Sequence, residues 1–220
     1  MGIFHYDGPI MTTISRITDL AILNILSVIC SIPIITAGAA YSAKYYVSMK
    51  ISRGEEPAIF KPFFRAFREN LKQGVGTSLI SGSVIAGFAM NWNLVYHSAK
   101  GSVPFAVMIL LALLTIYAAM WIYTLPAVLA RYQMRFLDLI KNSLMFTAAH
   151  ILRLSISVAA FILPIYLFWK NYKWAWLVWL GIRCTMLYVD SAFFNGSFLK
   201  AEADAEEMRK EMAETQPARG

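Results

Sequence analysis

Arg183 and Asp190 stand seven residues apart inside one long apolar stretch. Seven residues is about two helical turns, so a helix puts both on one face. Asp19 opens an earlier apolar run, and His150 and Arg153 open another. Ionisable groups in such surroundings are costly. They persist where they pair, line a water-filled path or touch a substrate. Matching positions along the runs pairs Asp190 with Arg153 and aims Arg183 toward Asp19. Asn24, Asn91, Asn93 and Asn195 add amides able to hydrogen-bond between helices. A structural ion-pair network and a path for a polar solute both remain open on these residues.

Enzyme chemistry finds no foothold. His5, His97 and His150 are isolated from one another and from any nucleophile. The sequence has no Gly-x-x-x-x-Gly-Lys, no Gly-x-Ser-x-Gly and no His-Glu-x-x-His. Cys30 and Cys184 lie within apolar stretches, where a thiol acts as a small hydrophobe. The expectation is a non-enzyme without cofactor or metal.

The elements that position these groups follow from composition. The chain has 220 residues, of which 58% are hydrophobic and 15% charged. Soluble domains carry about 25% charged residues, so this is a membrane composition. A span needs about 20 mostly apolar residues. Five stretches qualify, at about 20–40, 75–96, 103–124, 152–168 and 174–194. The fold class expected is an all-α membrane protein: five transmembrane helices with one or two cytoplasmic amphipathic interfacial helices. Residues 1–199 form the membrane domain and 200–220 a charged tail.

Charge gives an orientation. Fifteen of the twenty Lys and Arg fall in 41–74, 125–153 and the tail. The positive-inside rule makes those segments cytoplasmic, with the amino terminus outside and the carboxyl terminus inside a bacterial plasma membrane. The net charge of +7 thus points to anionic lipid head groups and not to nucleic acid. Tyr41, Tyr45, Tyr46, Trp121 and Tyr123 are expected at the inner membrane interface.

Two segments modify this plan. Pro33, in Ile32-Pro-Ile-Ile-Thr-Ala-Gly, breaks or kinks the first span, with Thr36 placed to satisfy a freed carbonyl. Residues 58–72 read as an interfacial helix. At 100° per residue, Phe60, Phe63, Phe64, Phe67 and Leu71 share one face. Lys61, Arg65, Arg68 and Lys72 make a stripe beside it. Such a helix lies flat, with rings in the acyl boundary and cations among phosphates. A docking helix for a partner has the same pattern. Small-residue runs, Gly38-Ala39 with Ser42-Ala43, and Ser78, Gly82, Ser83, Ala86 and Gly87, permit close helix contact within the chain or with a partner.

The opening Met1-Gly-Ile-Phe-His-Tyr-Asp-Gly-Pro9 resembles the YesL-like family of bacterial multi-pass membrane proteins of unknown function. So do Leu23-Asn24, Cys30-Ser-Ile-Pro-Ile-Ile-Thr-Ala-Gly-Ala39 and Arg53-Gly-Glu-Glu-Pro57 with Phe63, Phe64, Phe67 and Asn70. The resemblance implies a protein of mainly Gram-positive bacteria, associated with ABC import of oligosaccharides. It supplies no catalytic residues. The function expected is an accessory or regulatory subunit whose partners are ABC permease or ATPase subunits. A small autonomous transporter or channel, forming a homo-oligomer, and a lipid-binding scaffold are the alternatives.

Overall fold

The computed structural model describes residues 9–55, 58–98, 104–159 and 175–215; side chains are described over 15–210 within those stretches, except 175–184. Every regular element among the described residues is helical. Helix α1 spans Pro9–Cys30 and α2 spans Ala37–Ser52, with a short 3-10 turn over Ile34–Thr36 between them. Then come α3 (Phe60–Glu69), α4 (Leu71–His97), α5 (Phe105–Arg131) and α6 (Phe136–Ala149). Helix α7 covers 151–159, and α8 spans Ala175–Thr215.

The single span expected over 20–40 is two helices. The backbone leaves α1 at Cys30, and Pro33 takes an extended conformation. Proline has no N–H and cannot continue the hydrogen-bond ladder, so the chain reverses here. The Thr36 hydroxyl lies 2.7 Å from the Cys30 carbonyl oxygen and 2.8 Å from that of Pro33. It satisfies acceptors that the helix end leaves open. Arg16 Nη1 donates to Tyr188 Oη at 3.4 Å, and Ser191 Oγ donates to Ser48 Oγ at 2.6 Å. Residues 16 and 48 therefore meet neighbouring turns of α8. Helices α1 and α2 form an antiparallel hairpin, with residues 31–36 at its tip.

Helix α2 is the hub, packed against α1, α3, α4, α5 and α8. Its small residues make this possible. The Gly38 N–H donates to Ser78 Oγ at 2.7 Å, and a Cβ on Gly74 would press into the backbone of Ala39. The α2 and α4 backbones thus touch, as small-residue faces allow. The small-residue face at 38–43 is consumed within the chain, whereas Gly82 and Gly87 on α4 face open space. Helix α2 ends at Arg53, and Gly54 takes φ +79°, a left-handed conformation suited to glycine.

Helices α4 and α5 have 27 residues each, and both are long and apolar enough to cross a membrane. Leu79, Ile85, Met90 and Leu113 point outward along them. They hold the spans expected at 75–96 and 103–124. The stretch expected at 152–168 begins in α7 and continues beyond the described residues. That at 174–194 forms the first half of α8, and the charged tail prolongs the same helix to Thr215.

Helix α6 offers Leu139, Ser143 and Thr147, all fully buried and four residues apart, to α5. Trp121 Nε1 donates to Ser143 Oγ at 2.8 Å, and the Thr124 and Thr147 hydroxyls bond at 2.7 Å. Tyr45 is buried edge-on against Tyr123 and Phe194. Tyr45 and Trp121 are therefore core residues and not interfacial ones. The Trp121 indole N–H finds its partner inside the protein, which removes its need for the water interface.

Candidate functional site

Asp190 is only 2% exposed, on the face of α8 that packs into the bundle. Two hydroxyls hold its carboxylate. Tyr123 of α5 donates through a short hydrogen bond, and Ser157 of α7 donates to Oδ1 at 2.7 Å. Charge-assisted bonds of this kind are how a buried carboxylate is sustained. The expected pairing of Asp190 with Arg153 is not formed. The Arg153 guanidinium instead sits over the Phe193 ring at 4.5 Å. Phe193 also meets His150, which stacks on Phe146 at 4.4 Å. Aromatic rings at the start of α7 offer the cation a face, and Asp190 already has two neutral donors.

Arg183 belongs to α8, and its side chain lies outside the described residues, as therefore does its pairing with Asp19. Asp19 is half-buried on α1 and engaged with other residues. Asn24 is buried one turn further on, and its carbonyl accepts from Ser27 Oγ at 2.8 Å.

Lys44 is the residue that sequence reasoning misplaced. It counted as a loop cation, yet it lies in mid-α2 at 2% exposure, with Nζ 4.2 Å from the Tyr41 ring centroid. The available signal was its spacing from Tyr41 and Tyr45, one turn and one residue away. Ser48 and Ser191, buried and bonded to each other, carried no signal at all. Among the described residues, Lys44 and Asp190 thus give the bundle one buried cation and one buried anion, each with its own partners.

Helix α3 departs from its expected orientation. Phe63 is fully buried against the core with Ala66, and Phe67 packs partly beside them. Phe60 and Phe64 stay exposed. The five apolar residues therefore do not share one lipid-facing surface. A ten-residue helix packed on α2 has to place part of its apolar arc inward. Asn70 ends it and donates to Ser42 Oγ at 3.1 Å, pinning the α3–α4 junction to α2. Lys61, Arg65, Arg68 and Lys72 remain at the surface, with Arg65 bonded to Glu69 at 2.9 Å. Phe64, Arg65, Phe67, Arg68 and Leu71 border a shallow depression on this outer face.

A second cavity, about 490 Å³, lies between α2, α4 and α5 beside the hairpin tip. Its walls are mostly apolar, with Ile34, Ile85, Ala119 and Ile122 among them. Tyr41, Tyr45 and Tyr123 line its α2 and α5 sides. Tyr123 therefore touches both the cavity and buried Asp190.

At the far end of α5, Arg131 forks onto Glu202 of α8, with Nε–Oε1 at 3.2 Å and Nη2–Oε2 at 3.0 Å. The hydrogen bond from Arg131 holds the Glu202 carboxyl below its ordinary value. Burial, reinforced by the Glu202 charge, pushes the Tyr132 phenol up to about 12. Tyr132 also packs edge-on against Phe198 at 5.3 Å. This fork ties the polar half of α8 to the bundle.

Residues 20–92 match the model of a family described as protein of unknown function, DUF624. The match runs from mid-α1 to near the end of α4, so it covers α2, α3 and two walls of the cavity. No curated protein and no solved structure matches the chain.

Proposed function

We propose that this chain is a multi-pass membrane protein that works by contact and not by catalysis, as an accessory subunit of an ABC importer for oligosaccharides. The observation that carries this reading is the seating of α3. Phe63 anchors it in the core, while Phe60 and Phe64 stay exposed beside Arg65 and Arg68. Exposed rings flanked by arginines on a rigidly seated helix have the make-up of a docking surface. The long α8, tied by the Arg131–Glu202 fork, extends the same end of the molecule. The importer context comes from the family resemblance in the first 75 residues.

The hairpin revises the proposed topology. With α1 and α2 antiparallel, the start of α1 lies on the side of the basic 53–72 segment. We infer a topology in which α1–α2 and α4–α5 are membrane hairpins and the start of α1 and the polar half of α8 face the cytoplasm. The hairpin tip at 31–36 carries no charge, which suits an outer loop under the positive-inside rule.

The test is affinity purification from native membranes in mild detergent, with mass spectrometry of co-eluting proteins. Stoichiometric permease or ATPase subunits are expected, and Arg65→Glu with Arg68→Glu reduces their recovery without reducing membrane insertion. Elution alone, together with solute flux into liposomes containing only this chain, overturns the reading in favour of an autonomous transporter.

A further inference from the structure

The cavity between α2, α4 and α5 has the size and lining of a ligand site. Its volume of about 490 Å³ falls in the usual range for small-molecule pockets, and its walls are apolar with a few hydroxyls. The slot opens at its α4 side, where Gly82 and Ile85 are exposed, so an occupant can enter it laterally. Water finds few partners against Ile34, Ile85 and Ile122.

Length and surroundings narrow the occupant. The lining runs from Ala37 to Tyr45 on α2 and from Thr77 to Ile85 on α4. Eight residues of helix rise about 12 Å, so the cavity is elongated along the helices. Its α4 wall, at Gly82 and Ile85, is exposed, on a helix long and apolar enough to cross a membrane. The medium at that opening is hydrocarbon. Two hydroxyls on facing helices, Tyr41 Oη and Ser81 Oγ, line the cavity without a hydrogen bond to any described residue. The neighbouring hydroxyls of Thr77 and Ser78 are already engaged with the Gly74 carbonyl.

We propose that this cavity is a lipid site that takes one acyl chain of a bilayer phospholipid, with the Tyr41 and Ser81 hydroxyls hydrogen-bonding its ester oxygens. The tail fills an elongated apolar slot from the side, and the two hydroxyls supply the donors that ester carbonyls lack in hydrocarbon. A free sugar fits poorly, because most of its hydroxyls would be buried against apolar walls without partners. The proposal rests on α4 and α5 lying in the membrane and is independent of any importer partner.

Gly82 provides the test. It lines the cavity, and a Cβ there meets nothing within 4 Å. Gly82→Phe therefore fills the slot without displacing backbone. Gly87→Phe, also in open space but away from the cavity, is the control. The full chain, purified from vesicles of phosphatidylglycerol and phosphatidylethanolamine into a non-ionic detergent, is examined by native mass spectrometry. The wild type and Gly87→Phe are expected to retain one phospholipid per chain. Gly82→Phe is expected to retain at least tenfold less at the same elution volume. Ala119→Leu, which fills the slot from α5, gives the same loss and keeps the test decisive if Gly82→Phe fails to fold. A wild type without retained phospholipid, or equal retention in the cavity-filling and control variants, overturns the proposal. Since no partner protein is present, failure here leaves the importer reading to its own co-purification test.

Discussion

The phenol of Tyr123 donates to the carboxylate of Asp190, joining α5 to α8 at the centre of the bundle. The same ring forms part of the cavity wall. One side chain thus belongs both to the hydrogen bonding of a buried carboxylate and to the wall of the apolar slot.

Removing either donor to Asp190 leaves a buried acceptor under-satisfied. Tyr123→Phe and Ser157→Ala are each expected to cost about 1–3 kcal/mol, because an unmade bond at a buried group costs its desolvation. The two changes share one partner and are expected to be non-additive in a double-mutant cycle. Thermal or denaturant unfolding in detergent measures both effects. A neutral Tyr123→Phe would show that the bond contributes nothing.

Glycines on α2 and α4 are expected to divide into two classes. Gly38→Ala drives a methyl group into the Thr77 side chain and the Gly74 carbonyl, and Gly74→Ala drives one into Ala39. Each is expected to cost about 1–3 kcal/mol through overpacking. Gly82→Ala and Gly87→Ala meet open space and gain helix propensity of up to about 1 kcal/mol. Melting temperatures of the four variants should fall into two groups of opposite sign.

Docking of the polar half of α8 is expected to depend on pH at both extremes. Glu202 has its pKa lowered from 4.5, so its contribution is full above that value and fades as pH falls through the depressed one. Tyr132 is raised from 10.0 to about 12, so the neutral phenol stabilises docking below pH 10, and the contribution is lost as pH rises toward 12. A plateau between these limits is expected. Both partners of the fork reach solvent, so the acid effect is small, at about 0.2–1 kcal/mol. A spin-label distance between α5 and α8 reads it out, and Arg131→Met should abolish the acid limb.

The hairpin topology predicts a labelling pattern. In a background with Cys30→Ala and Cys184→Ala, a membrane-impermeant maleimide on intact cells should label Ile34→Cys. It should reach Ser15→Cys and Glu55→Cys only after permeabilisation. Labelling of Ser15→Cys in intact cells would restore an outside amino terminus and sink the hairpin assignment.

Much of this molecule was legible in its residues. The apolar stretches that become α4 and α5 were readable because lipid-facing helices need apolar residues along their length. Pro33 and Thr36 announced an interruption, since proline cannot continue a helix and a hydroxyl can satisfy freed carbonyls. Hydropathy did not reveal that the interruption reverses the chain. A 20-residue apolar window fits one straight span as well as the two arms of a hairpin.

Sequence alone determined an all-helical chain of membrane composition, a break at Pro33 and a basic–aromatic helix before α4, because these follow from local chemistry and period. Tertiary structure alone decided which residues share an interior. Lys44 counted as a loop cation until α2 was enclosed by five other helices. Arg153 chose the Phe193 ring, and Asp190 chose two hydroxyls, because partners across helices depend on register and crossing geometry. The phenylalanines of α3 divided between core and surface for the same reason. Periodicity fixes which residues share a helix face, but only the neighbouring helices decide how much of that face is covered.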